Sequence, residues 1–364
     1  MNRNPEAPVS SVTGRPRNGP RKDPDDLRRS PAAPGPRADS RRSVVGEGPY
    51  DPPVTDSPTT APAHMSQRAW LLFAAMAVIW GIPYLFIKIA VVEVSPPALA
   101  GMRTLLAALI LLPLAWRQGA VRPALAKWPY VVAFGVMEMA IPWVLLGHAE
   151  TRVASGFAAL VIAAVPLVGT VLARILGDRH AFAPVRVLGL VTGIAGVAAL
   201  VGIDSLHGTA DWLSVAELLG VAVLYAVAPA VADRKLRGVP TMGVIALSLS
   251  VVAILYSPFT VSELASGLPS STVVLAILVL ALVCTALAFV LFFELIAAAG
   301  PVRATIITFV NPAVAVLLGI VILSEPITWG VAIGFPLVLL GSFLSTRPTT
   351  RREAEESAAE SAHA

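Results

Sequence analysis

The sequence predicts an all-α integral membrane protein: ten transmembrane helices arranged as two inverted five-helix repeats, preceded by a disordered N-terminal tail. Three observations carry this. Hydrophobic residues make up 56% of the 364 and charged residues only 14%, with a mean hydropathy of +0.75, far from the composition of a water-soluble domain. From residue 69 onward the chain is a succession of apolar runs of roughly 18 to 25 residues, the length a helix needs to cross the hydrocarbon core. One such run, Gly300 to Pro326, has a counterpart about 146 residues earlier, Ala154 to Asp178, in which Pro166 stands where the later copy has Pro312.

Residues 1–66 are rich in Pro, Arg, Ser and Asp and lack any apolar period. They cannot bury enough surface to offset the entropy of ordering, so a disordered basic tail is expected there. It is not a signal peptide, because no short apolar stretch follows the basic residues before a full-length span begins near Trp70; Met65 offers an alternative start. The spans are expected at 69–90, 97–116, 128–147, 153–176, 184–202, 213–232, 241–260, 271–297, 301–323 and 328–346, with a short tail over 347–364. Runs this long and this uniformly apolar exclude the weak alternation of a β-barrel.

Counting basic residues in alternate loops fixes an orientation. On one side fall the basic tail, Arg117, Arg122, Lys127, Arg174, Arg179, Arg186, Arg234, Lys235, Arg237, Arg303, Arg347, Arg351 and Arg352. The other side holds Arg152 almost alone, with Glu93, Glu150, Asp204, Asp211, Glu263 and Glu325. The positive-inside rule then places both termini in the cytoplasm of a multi-pass protein of the cell membrane. The same rule accounts for the formal charge of +4 without nucleic-acid binding.

At an offset of 146, Pro83 matches Pro229, Lys88 matches Arg234 and Pro166 matches Pro312. Gly189 and Gly196 match Gly334 and Gly341 one residue off that register. Each half, 69–202 and 213–346, therefore holds five spans. An odd number sends the second half through the membrane in the opposite sense, and inverted halves suit alternating access.

WGIPYLFIK, SPPALAGMRTLLAALIL and above all CTALAFVLFFELIAAAGPVRATIITFVNPAVAVLLGIVILSEP resemble the drug/metabolite transporter superfamily, specifically its EamA-type members. The resemblance runs from about Trp70 to Leu344 and implies a ten-helix carrier of small metabolites, amino acids or amphipathic compounds, often an exporter. The first half departs from the family pattern, with GDRH at 177–180 where members commonly carry GE.

Ionisable groups at membrane depth mark the candidate site, because a charge there is costly unless it faces a cavity or a partner. Glu138 sits near the middle of the third span, with Pro142 one turn later removing a backbone hydrogen bond to residue 138. Three readings stand: a substrate-amine or proton site in a central cavity, a partner for Arg103 or Lys88 that locks helices together, or a lipid-facing residue. Its mate at the same offset is Cys284, the single cysteine of the chain. Arg103 suits a substrate carboxylate through its planar fork, so that with Glu138 it would hold a zwitterion; otherwise Arg103 and Lys88 snorkel to the interface. Trp80 and Tyr84 share a helix face by their spacing, and with Trp143, Tyr225, Phe289 and Phe293 are candidates to line an amphipathic pocket or to anchor packing. Pro166 and Pro312 are candidate flex points for gating. Glu325, followed by Pro326, is expected to favour the start of the next helix. His148, Glu150 and Arg152 are expected as a solvated loop cluster, and Gly189xxxGly193 and Gly330xxxGly334 as close-approach motifs.

No HExxH, P-loop or dinucleotide fingerprint occurs, no CxxC metal site is available, and the loops are too short for a catalytic domain. Catalysis, cofactors and ATP-driven transport are therefore not expected. A secondary carrier driven by a proton or solute gradient, monomeric or homodimeric, is the leading expectation. A lipid-linked substrate flippase and a non-transporting scaffold are the alternatives.

Overall fold

The computed structural model describes residues 66–206, 211–300, 304 and 306–347. The expected tails before 66 and after 347, and the side chains of Arg179, Asp204, Arg303, Arg351 and Arg352, lie outside what is described. Eight helices are long and apolar enough to cross a membrane: α1 (Gln67–Ala90), α2 (Pro96–Arg117), α3 (Trp128–Glu150), α4 (Ser155–Ile175), α5 (Pro184–Ile203), α6 (Trp212–Lys235), α7 (Thr241–Ser266) and α8 (Ser271–Ala299). Two shorter apolar helices of 17 residues follow, α9 (Ile307–Leu323) and α10 (Trp329–Ser345). No strand occurs among the described residues.

The starts of these helices follow from capping chemistry. Ser66, Asp211, Ser270 and Thr328 each accept from the backbone N–H three residues on, at 3.2, 2.8, 3.4 and 3.0 Å, which satisfies one donor of the first turn. Pro96 opens α2 where the missing N–H costs nothing.

The bundle is apolar on its surface as well as in its core. Its exposed surface carries Leu71, Leu109, Ile254, Leu275, Leu317 and Val321, an apolar coat that only hydrocarbon matches. Its interior holds small residues that let helices close. A Cβ at Gly189 would stand 2.7 Å from the Gly341 carbonyl oxygen and one at Gly196 would stand 2.6 Å from the Val338 nitrogen, so α5 and α10 pack backbone to backbone within the chain. The helix α2 packs along α7 in the same intimate way, with Gly101 against Tyr256 and Thr260.

The remaining contacts run in matched pairs. The helix α1 packs on α8 and α6 packs on α3, while α4 meets α9. The turns at the two ends also sort by charge. At one end Glu263 accepts from Ser95 Oγ at 2.6 Å, Glu93 accepts from Ser270 N at 2.7 Å, and Arg152 Nε donates to Asp211 at 2.8 Å. At the other, Arg186 donates to Asp178 at 3.3 Å and to the Arg347 carbonyl at 3.1 Å. We call these the acidic and the basic end.

Several helices are locally irregular, three of them just ahead of a proline: α1 before Pro83, α3 before Pro142 and α4 before Pro166. The expected shared face of Trp80 and Tyr84 is interrupted, since α1 pauses between Ile79 and Pro83. The helix α4 breaks at Ala163–Ala164, just ahead of Pro166, whereas Pro312 lies inside an unbroken stretch of α9. The two prolines therefore are not equivalent in structure. In α3 a wide π turn occupies Val136–Ala140, with Ile141 N reaching back to Val136 O. The distortion expected ahead of Pro142 is present, and α8 carries the same kind of turn over Val279–Leu287, where the matching position is Ala288, so such a turn does not require a proline.

Candidate functional site

The π turns and helix breaks converge on one cavity of about 320 Å³ near the middle of the bundle. Trp80, Tyr84, Arg103, Glu138, Pro166 and Pro312 all stand in its wall, while Pro142 is buried outside it. Of the other aromatics, Trp143, Tyr225 and Phe289 face it and Phe293 packs elsewhere.

Each polar group is placed by its helix. Glu138 lies on the π turn of α3 and lines the cavity. Tyr256 Oη donates to the Ala140 carbonyl at 3.1 Å, at the end of the widened turn. One carboxylate oxygen of Glu138, Oε2, is enclosed and has no hydrogen-bond partner. Arg103, 7% exposed, comes from α2. Its Nε donates to Thr285 Oγ1 at 2.8 Å, and Thr285 in turn donates to the Leu280 carbonyl at 2.7 Å, an i to i−5 bond that belongs to the π turn of α8. The guanidinium lies 3.7 Å from the centroid of the Trp143 ring, a cation–π arrangement that leaves its edge for a planar anion. Tyr225 from α6 lies within electrostatic reach of both charges.

The apolar side of the cavity is aromatic. Trp80 meets Phe289 edge-on at 6.3 Å and leans on Phe292 at 4.7 Å. With its amide oriented to satisfy both partners, Asn311 donates to the Ile307 carbonyl at 2.9 Å and to the Ala77 carbonyl at 3.1 Å, tying α9 to α1. At the α4 break Ser342 of α10 donates to the Ala163 carbonyl at 2.8 Å.

Three expectations need correction. Lys88 does not snorkel; its ammonium donates to the carbonyls of Glu150 and Val153 at 2.5 and 2.7 Å, closing the C-terminus of α3. Glu325 does serve a helix start, but of α4 and not of the helix that follows it: it accepts from Ser155 N at 2.7 Å, Gly156 N at 3.2 Å and Ser155 Oγ at 3.0 Å. The left-handed Ser324 (φ 55°) ends α9 and turns the chain toward it, and Gly319 leaves room for the carboxylate. Glu150 is not part of the solvated cluster, being 0% exposed, whereas His148 and Arg152 pair with Glu217 at 2.5 and 2.6 Å.

Residues 67–202 and 212–347 each match the EamA-like transporter family. The chain belongs to that family. It is 30% identical over 247 residues, 67% of this chain and 79% of the other, to the uncharacterized inner membrane transporter YedA of Escherichia coli K12. It is 24% identical over 289 residues to an uncharacterized transporter of Archaeoglobus fulgidus, covering 77% of this chain and 99% of the relative. It is also 24% identical over 295 residues to the uncharacterized transporter YvbV of Bacillus subtilis, covering 80% and 95%. A solved crystal structure shares the fold with a TM-score of 0.55 at 21% identity, covering 76% of this chain and 96% of that one.

In this EamA-like transporter the residue behind the cavity wall that sequence reasoning missed is Thr285, the group that fixes Arg103. The signal was present in the repeat: Thr285 follows Cys284, the mate of Glu138, and both lie within the second π turn. Asn311 was also missed as a wall residue, though its place before Pro312 marked it as a polar group at membrane depth.

Proposed function

We propose that this chain is a secondary carrier that exports small zwitterionic or cationic amphipathic metabolites, such as amino acids and amines, from the cell by alternating access. The observation that carries the reading is the cavity itself. Glu138 presents an enclosed, unpartnered oxygen and Arg103 a guanidinium stacked on Trp143, with aromatic rings between. An ammonium would take the first, a carboxylate the second, and an apolar side chain the aromatic wall. Substrate binding would thus relieve a polar group that the empty site leaves unsatisfied. A non-transporting scaffold has no use for such a cavity.

The ten apolar helices are read as ten spans, α1–α5 and α6–α10 forming inverted repeats over 69–202 and 213–346 with both termini at the basic, cytoplasmic end. Exchange of halves turns the α1–α8 contact into the α6–α3 contact and maps α2–α7, α4–α9 and α5–α10 onto themselves, and these contacts support the reading. The π turns of α3 and α8 exchange too. The helix α9 packs on the first half of α4, whose start is held by Glu325, and both halves of α4 line the cavity, through Ala159 and Ile162 and through Val165 and Pro166. The Glu325 contact supports a conformation closed at the acidic end. Pro166 and Pro312 are assigned as flex points and Glu138, Arg103, Trp80 and Tyr84 as substrate contacts.

Flux of labelled amino acids and amines in proteoliposomes, with and without a pH gradient, tests the reading. Saturable flux that is lost in Glu138→Gln and in Arg103→Gln, at equal protein content, is the expected result. Flux unchanged in both variants would overturn the site, and no flux of any amine or amino acid would overturn the substrate class.

A further inference from the structure

A second buried carboxylate has no place in the substrate cavity. Glu150 ends α3 at the acidic end, is 0% exposed, and neither of its oxygens has a hydrogen-bond partner. The nearest cation is already engaged: Lys88 donates to the carbonyls of Glu150 and Val153. Tyr84 and Lys88 face Glu150 from α1, and Glu325 acts on it from the turn after α9. The start of α4, Ser155–Ile162, carries no ionisable side chain. From α6, Asp211 and Glu217 are held by Arg152, and from α2 Arg103 is bound to Thr285 deeper in the bundle.

Charge on Glu150 is opposed by burial, by the carbonyl end of α3 and by Glu325; the Lys88 ammonium, which keeps its charge while bound to backbone carbonyls, favours it without outweighing burial. Glu325 is the group that holds the N-terminus of α4 against α9. Binding a proton at Glu150 removes the repulsion and lets that clamp close. Releasing the proton to water restores the charge and works against it. We propose that Glu150 is a proton-binding site that links closure of the acidic end of the bundle to the proton concentration on that side. This rests on the carrier reading above, to which it adds a coupling site separate from Glu138.

The test needs no transported substrate, so its outcome is independent of the flux assay. In a Cys284→Ala background, Val153→Cys places a buried thiol in the α3–α4 turn beside the clamp. Its alkylation by a membrane-impermeant maleimide is compared with Glu150 intact and with Glu150→Gln, each pair in the same buffer so that thiol chemistry cancels. In acidic buffer the two label alike; in alkaline buffer the Glu150 protein labels about tenfold faster, one pKa-unit equivalent of gate opening. Equal rates at both pH values overturn the proton site and leave the carrier reading standing. Infrared difference spectra give a second readout. With the other enclosed carboxylate removed, Glu138→Gln shows a buried-carboxyl band lost on alkalinisation, and the added Glu150→Gln removes it. Absence of that band in Glu138→Gln, or its persistence in the double variant, also overturns the proposal.

Discussion

The guanidinium carbon of Arg103 lies 3.7 Å from the centroid of the Trp143 ring while its Nε is held by Thr285 at 2.8 Å. Two groups from different helices thus fix the plane of the fork. Lysine keeps the charge but neither the stacking nor the Nε bond. Arg103→Lys is therefore expected to lower kcat/KM for carboxylate-bearing substrates about tenfold or more, an effect of about 1–2 kcal/mol. Trp143→Leu should lower it less and Thr285→Val by a similar small factor. Proteoliposome flux measured against concentration checks the order, and Arg103→Lys matching wild type would remove Arg103 from substrate recognition.

Pro166 follows a break in α4, whereas Pro312 sits in a continuous helix. If the break flexes during the cycle, restoring a backbone donor with Pro166→Ala should slow turnover several-fold with little change in KM, and Pro312→Ala should do less. The comparison of kcat against KM in the two variants decides it. Equal rates in both would leave the prolines as packing features.

The carboxylate of Glu325 satisfies two donors at the start of α4. Glu325→Gln keeps the shape and loses the charge, so the thermal midpoint of purified protein should fall by a few degrees, matching about 1 kcal/mol for an N-terminal cap. A midpoint equal to wild type would make this contact incidental.

The helices α5 and α10 meet through Gly189, Gly196, Gly334 and Gly341, where an added Cβ runs into backbone atoms that cannot turn aside. Gly196→Val is expected to cost about 1–3 kcal/mol or more by overpacking and to lower the yield of folded protein. An equivalent change at Gly169, whose added Cβ meets nothing within 4 Å, is the control. Similar losses at both positions would remove the glycine contact as the cause.

Asp211 caps α6 through the Ser214 N–H, with further hydrogen bonds from the Ser214 hydroxyl and Arg152, and these hold its carboxyl below the usual aspartate value. A depressed folded-state value contributes stability above the unfolded value and loses it as pH falls through the folded one. The thermal midpoint of Asp211→Asn should thus lie below that of wild type near neutrality, and the gap should narrow in strong acid. A gap that is constant with pH would assign the effect to packing instead.

Much of this architecture was legible from the chain. Apolar runs longer than a soluble core needs, separated by Pro, Gly and charge, marked the helices because lipid demands both length and backbone satisfaction. Glu138 and Arg103 stood out for the same reason, as charges in expensive places. What stayed hidden depends on lateral packing. Nothing local in VLALVCTAL announces a π turn, and nothing near Glu325 says that its carboxylate reaches a helix 170 residues earlier. Glu150 looked like a loop residue because its neighbours in sequence are polar, while its neighbours in space are Lys88 and the apolar start of α4.

The two π turns have a mechanical meaning. A π turn is one residue of slack wound into an otherwise tight spring. Passing that slack along the helix by a single position would rotate everything on one side of it by about 100° while nearly all backbone bonds are remade in step. In α3 and α8 the slack sits under Glu138 and beside Thr285, so a small migration would swing one charge out of the cavity and unseat the other. The bundle would then change its binding chemistry by swivelling two helices in place, with the glycine-locked pair α5–α10 as the fixed frame.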